Sequence, residues 1–124
     1  MVDASKADAE RFLPLSVPQF QILLSLVDAD RHGYGIILDI AERTAGRLRL
    51  GTGTLYTAIA GLATGGLLVR APQRRADEDE RRRYYRLTPL GRAVLEAEVA
   101  RLAAQLRQAR RKGLRPAPES ERAK

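Results

Sequence analysis

GTGTLYTAIAGLATGG, residues 51–66, contains no charged side chain, although the chain around it carries 22 Lys and Arg against 15 Asp and Glu. Within it Leu55, Ile59 and Leu62 stand at i, i+4 and i+7, the spacing of one apolar stripe on a helix. That stripe belongs to a core. It leaves Thr52, Thr54, Tyr56, Thr57 and Ala60 toward the opposite or N-terminal surface, and none of them is bulky except Tyr56. The segments on either side decide what such a neutral surface is for.

Upstream, LSVPQF (residues 15–20) reads as a helix start. Ser16 supplies a cap, Gln19 completes a capping box, Pro18 is tolerated in the first turn, and Leu15 with Phe20 forms a hydrophobic staple. Phe20, Leu23, Leu24 and Val27 recur at helical spacing, so this helix is expected to run to about Ala29 with that face inward. DADR then makes a turn. A second helix is expected from about Gly33 to Ala45, with Ile37, Ile40, Ala41 and Thr44 on one face and Gly46 at its end.

Downstream of Gly65 and Gly66, LLVRAP (67–72) and RRYYRLT (82–88) suit short strands. The charged linker QRRADEDER between them makes a hairpin with a long tip. In the second strand Tyr85 and Leu87 fall on one face and Tyr84 and Arg86 on the other, which puts one tyrosine in the core and its neighbour outside. Thr88 and Pro89 open a last helix, expected to reach Lys112 before Gly113 and to span roughly 36 Å. Its Leu95, Val99, Leu102 and Leu106 repeat two per heptad, the seam of a helix packed along another helix. The small body offers no partner of that length, so the seam is assigned to dimerisation. The tail LRPAPESERAK (114–124) has two prolines, several charges and little to bury, and reads as disordered.

A length of 124 residues suffices for one core and hardly for two. The net charge of +7 favours an anionic partner. Apolar runs such as ILLSLV (22–27) fall far short of the ~20 residues a membrane-spanning helix needs, so no membrane role is expected. The start, MVDASKADAERFL, has neither the apolar stretch of a signal peptide nor the acid-poor composition of a transit peptide, and a cytoplasmic location is expected. The absence of Cys excludes a disulfide framework, a thiolate metal site and a thiol nucleophile.

Three short helices, a hairpin and a long last helix give a mainly α fold with a small β-hairpin: a winged helix-turn-helix with an added C-terminal helix. The expected division is an N-terminal arm over 1–14, the winged helix-turn-helix over 15–88, a dimerisation helix over 89–113 and a disordered tail over 114–124. Three motifs sharpen this. HGYGI (32–36), GTGTLYTAI (51–59) and RRRYYRLTPLGR (81–92), in this order and at this spacing, strongly resemble the PadR family of bacterial transcriptional regulators. The match runs from about Leu15 to Leu106, and the length is similar to the subgroup whose C-terminal part is a single helix.

The resemblance implies a bacterial repressor that binds operator DNA as a two-fold dimer, with the third helix in the major groove and the wings on flanking backbone or minor groove. In those terms Thr52, Thr54, Tyr56, Thr57 and Ala60 read the groove, where hydroxyls meet bases or phosphates and methyl groups pack on thymine C5-methyls. Tyr34, at the start of the second helix, donates to phosphate. Arg47 and Arg49 before the third helix, and Arg82 and Arg83 on the wing, supply the positive charge that helix lacks, and Tyr84 joins the wing's contact to DNA. Asp77, Glu78, Asp79 and Glu80 at the hairpin tip would be repelled by phosphate, which leaves contact to the basic shoulders. Family members commonly have a proline soon after the cap and a basic residue near the positions of Ala60 and Gly61. Both are absent here, so this helix offers no bidentate contact to guanine. Two-fold symmetry implies recognition helices roughly 34 to 36 Å apart and an inverted-repeat operator. The resemblance also implies a small-molecule effector near the dimer interface; without Trp and with only Phe12 and Phe20 beyond the tyrosines, a flat aromatic sandwich is hard to build.

An enzyme is not expected. His32 is the sole histidine, so no second His lies at metal-ligand spacing and no Cys is available, and Ser16 and Ser25 have no base beside them in sequence, so neither catalytic nor metal residues nor a cofactor are assigned. The alternative from another class is a winged-helix module whose basic wing meets an acidic protein partner.

Overall fold

The computed structural model describes residues 6–72 and 83–118. The capping box at residues 15–20 forms as its residue types demand. The Gln19 amide donates to Ser16 Oγ at 3.2 Å, and the Ser16 amide donates to Gln19 Oε1 at 2.9 Å. It opens α2 (Val17–Ser25), which ends at Leu26, short of Ala29. Its inward face also differs from expectation. Ile22, Leu23, Ser25 and Leu26 are buried, Phe20 and Leu24 are half-buried, and Val27 is exposed. The physical reason is that α2 touches three other helices, so its buried arc is wider than the single stripe of a surface helix.

The next element was not legible: β1 (Arg31–His32) stands where a simple turn was expected. It leads directly into α3 (Gly33–Arg43), whose buried residues are Gly33, Ile36, Ile40 and Ala41, with Ile37 and Thr44 half-buried. The chain leaves α3 through Ala45 and Gly46, both in the left-handed region at φ of +53° and +79°, and the Gly46 amide closes the helix on Ala41 O at 2.7 Å. The opening stretch is α4 (Thr52–Thr64), and Leu55, Ile59 and Leu62 are its buried residues, as the periodicity requires.

The hairpin is present as β2 (Leu68–Arg70) and β3 (Tyr84–Leu87), with Leu68 opposite Leu87 and Arg70 opposite Tyr85. It is part of a three-stranded antiparallel sheet in the order β1-β3-β2. Tyr85 is buried and Tyr84 half-buried, in accord with the alternation.

The last helix is α5 (Pro89–Arg111), capped by Thr88, whose Oγ accepts from the Gly91 amide at 2.9 Å and donates to Gly66 O at 2.6 Å. Gly91 is required by a close approach: a methyl there would overlap the Leu67 carbonyl, where α5 crosses the strand entrance. Leu95 lies in the core of this chain with Val94, Ile22 and Leu62. It therefore does not belong to the exposed seam, which begins at Val99; α5 is amphipathic on two faces, and Leu95 serves the inner one.

The segment expected as an arm contains α1 (Lys6–Glu10), which packs on α5 with Ala9 buried. It is held in addition by Glu98, which is buried on α5 and accepts from the Leu15 amide at 2.9 Å while pairing with Arg101. The Arg101 hydrogen bond holds the Glu98 carboxyl below its ordinary range, against the opposing effect of burial. Of the tail, residues 114–118 have no regular structure; 119–124 lie outside the described residues, as do 1–5 of the arm.

Candidate nucleic-acid interface

With its apolar stripe inside, α4 turns Thr52, Thr54, Tyr56, Thr57 and Ala60 outward, and all five are exposed. Gly53 and Gly61 lie on the same open surface, with no atom near enough to touch a methyl added at either. The helix begins at Gly51 without any side-chain cap. Its first-turn amides therefore have no partner from a cap side chain, and they present the positive end of the helix dipole. Beside them runs a shallow groove of about 500 Å³, lined by Thr54, Thr57 and Gly61 on α4 and by Ser16, Pro18 and Gln19 on α2.

Tyr56 is seated differently from the threonines. Its ring lies against the first turn of α3, so closely that a methyl at Gly33 would overlap the phenol hydroxyl. The glycine of HGYG is explained by this contact. Half of the Tyr56 side chain remains exposed, at 49%. Tyr34, the next residue on α3, is 62% exposed, so two phenols stand on neighbouring elements of one surface. Arg47 and Arg49, on the segment that enters α4, are exposed.

On the wing, Arg83 is exposed and Tyr84 packs edge-to-face against His32, with ring centroids 5.2 Å apart and planes at 87°. Arg70, at the end of β2, is exposed as well, whereas Arg86 on β3 is engaged with Asp30 through two hydrogen bonds of 3.1 and 2.8 Å. Those bonds raise its pKa above the ordinary arginine value. Arg86 thus fastens β3 to the turn before β1 rather than facing outward as a free cation. Arg82, Arg74, Arg75, Arg81 and the acidic run from Asp77 to Glu80 lie outside the described residues. Burial pushes the Tyr85 hydroxyl up, and nearby Tyr56 adds to the effect, another sign of how close β3 and α4 lie.

A polar network holds the frame under this surface. Arg43 donates to Asp39 at 2.8 Å, to Gln21 Oε1 at 2.6 Å and to the buried Ser25 Oγ at 2.7 Å. From β1, Arg31 donates to Ser25 O at 2.8 Å and approaches Asp39 at 3.5 Å. Burial pushes the Asp39 carboxyl up, but hydrogen bonds from Arg43 and Ser25 and the charges of both arginines outweigh it and leave the pKa lowered. Ser25 is a member of this network and Ser16 is a helix cap, roles that account for both hydroxyls.

His32 is the N-cap of α3, its Nδ1 accepting from the Gly35 amide at 3.0 Å. The only sequence signal for that role was a polar residue just before a helix start, since β1 is too short to show a pattern. Among the described residues there is no group of three or more His, Cys, Asp or Glu placed to hold a metal ion, and no helix long and apolar enough to cross a membrane. Along the outer face of α5, Val99, Leu102 and Leu106 are exposed, at 51%, 41% and 41%.

Comparison with known proteins gives the arrangement its context. Residues 22–97 match the family described as the transcriptional regulator PadR-like family. The chain is 40% identical over 85 residues to an uncharacterized 37.1 kDa protein in a transposon of Streptomyces fradiae, an overlap of 68% of this chain and 23% of that protein. It therefore spans about a quarter of that relative. A transcriptional regulator from Clostridium thermocellum superposes with a TM-score of 0.64 at 27% identity, over 77% of this chain and 90% of that one. PadR of Bacillus subtilis, solved in complex with operator DNA, shares the fold with a TM-score of 0.60 at 20% identity, over 84% of this chain and 53% of its own. The matched segment runs from within α2 through α3, α4 and the wing strands to Ala97 in α5, more than half of the chain, and on that ground the chain belongs to the PadR-like family of transcriptional regulators.

Proposed function

We propose that the protein is a dimeric repressor that binds an inverted-repeat operator. The observation that carries the reading is the exposed, uncharged face of α4, flanked by Arg47 and Arg49 at its entrance and by Arg83 on the wing. Thr52, Thr54, Tyr56, Thr57 and Ala60 enter the major groove, with the Tyr56 hydroxyl reaching a phosphate at its edge; Tyr34 and the arginines contact phosphate, and the open first turn of α4 faces the backbone. The face offers hydroxyls and methyl groups but no long hydrogen-bonding side chain, so base reading rests on short contacts and DNA shape. Tyr84 holds the wing from inside.

Two copies associate through Val99, Leu102 and Leu106 of α5, the single C-terminal helix of the short subgroup. Pairing doubles the +7 charge of one chain and strengthens steering toward DNA. An effector acts, in this reading, by changing the spacing of the two wings at the dimer interface. The protein works in the bacterial cytoplasm and catalyses no reaction.

The test is fluorescence anisotropy with the DNA upstream of the protein's own gene and with a scrambled duplex, from about 50 to 200 mM salt, a range over which six to ten phosphate contacts cost roughly a thousandfold or more. Tighter binding of the native duplex at every salt, abolished by Tyr56→Ala with Arg83→Ala, supports the reading. Binding of an acidic protein that survives Tyr56→Ala, with no preference between duplexes, refutes it.

A further inference from the structure

The imidazole of His32 stands where three parts of the molecule meet. Its Nδ1 accepts from the Gly35 amide and so caps α3. Its residue pairs with Tyr84 across the β1–β3 ladder, and its ring meets the Tyr84 ring edge-to-face. The turn it caps begins with Gly33, on which the Tyr56 phenol of α4 rests. A two-stranded hairpin alone is marginally stable, so β2 and β3 depend on what holds them to the helical body. On the side of β3 away from β2, that attachment consists of the two-residue strand β1, the ring of His32 and the Arg86–Asp30 pair.

We propose that His32 is a positioning residue, fixing the wing at the distance from α4 at which Arg83 and the α4 surface engage one duplex together. The inference rests on the DNA-binding reading and adds to it the residue that couples its two halves. The two functions of the ring are separable. Asparagine caps a helix about as well as any residue but has no ring to set against Tyr84. Asp30 and Arg86 still hold β3 in that variant, so the wing stays folded and loses only its fixed orientation.

The experiment measures the slope of log affinity against log salt, which counts phosphates engaged and which a general loss of stability does not alter. The probe is a duplex selected by the wild-type protein from a random-sequence library. His32→Asn is compared with wild type, with Tyr84→Leu, which removes the contact from the other side, with Arg83→Ala, and with the double variant His32→Asn/Arg83→Ala; urea midpoints are followed in parallel. The expected result is a slope reduced by about one per protomer in each single variant. The double variant should show no further reduction, because a wing no longer held in register has already withdrawn Arg83. Wild-type slopes in His32→Asn and Tyr84→Leu, or losses that add in the double variant, overturn the positioning role while leaving DNA binding intact. A wild-type protein that selects no duplex and binds none with salt dependence overturns the DNA-binding reading, and this inference with it.

Discussion

Substituting Gly33 by Ala separates function from stability at a single methyl. Gly33 is the first residue of α3 and has an ordinary helical backbone, so alanine there gains roughly 0.5–1 kcal/mol of backbone entropy. Against this stands the Leu55 methyl, 3.2 Å from the new Cβ, in a core where overpacking costs about 1–3 kcal/mol. The net change in stability is therefore expected within about 2 kcal/mol, small beside the 5–15 kcal/mol of a typical domain. The Tyr56 phenol has no such choice, since its hydroxyl lies where the methyl goes. Being half-exposed it can swing outward, by about 1 Å or more if it is to regain van der Waals distance. A hydrogen bond from that hydroxyl to a phosphate is worth about 1.5–3 kcal/mol. Lost from both protomers, it weakens operator binding by roughly a hundredfold to ten-thousandfold. The assay pairs urea unfolding followed by circular dichroism with anisotropy on a selected duplex. Unchanged affinity would show that the seat of Tyr56 on Gly33 has no bearing on DNA recognition; a collapse of the urea midpoint would show that Gly33 serves the core alone.

Other positions give independent checks. Gly91→Ala drives a methyl into the Leu67 carbonyl, which has no rotamer to yield, and should cost about 3 kcal/mol or more in urea unfolding; Gly61→Ala, open on α4, should instead stabilise by about 0.5–1 kcal/mol. Leu102→Asp should shift the light-scattering mass toward the monomer with the helical spectrum kept, whereas Leu95→Ala, within the core, should lower stability by about 2–5 kcal/mol. The lowered carboxyl of Glu98 contributes stability above its unfolded-state pKa near 4.5 and loses it as pH falls through the lower folded-state value. Urea midpoints measured below pH 4.5 should therefore drop more steeply in wild type than in Glu98→Gln, and parallel acid limbs would contradict the assignment.

What the sequence determined by itself was set by neighbours three or four residues apart. Ser16 with Gln19 and Thr88 with Gly91 make caps whose partners lie within one turn. The stripe of Leu55, Ile59 and Leu62 and the alternation that buries Tyr85 are periodicities of single elements. From these came the helices, the hairpin, the order that names the fold, and the exposed face of α4. The family resemblance then supplied the expectation of DNA, and it did so through motifs whose glycines have physical reasons visible only in three dimensions. Gly33 is small because Tyr56 arrives from another helix, and Gly91 because α5 crosses the Leu67 carbonyl.

The tertiary structure decided everything that depended on contacts between distant segments. A strand of two residues carries no periodicity, so β1 existed only once Tyr84 and Tyr85, more than fifty residues on, were there to pair with it. The inward face of α2 widened because α3, α4 and α5 all press on it. Leu95 and Val99 stand in one heptad pattern, yet the first is buried in its own chain and the second is left outside. Heptad spacing records which residues are apolar along a helix, whereas which of them a body already covers depends on where that body ends. Likewise Arg86, one of the positive charges on the wing, is the partner of Asp30. Charge is written in the sequence, but its availability to DNA is set by the groups that folding places beside it.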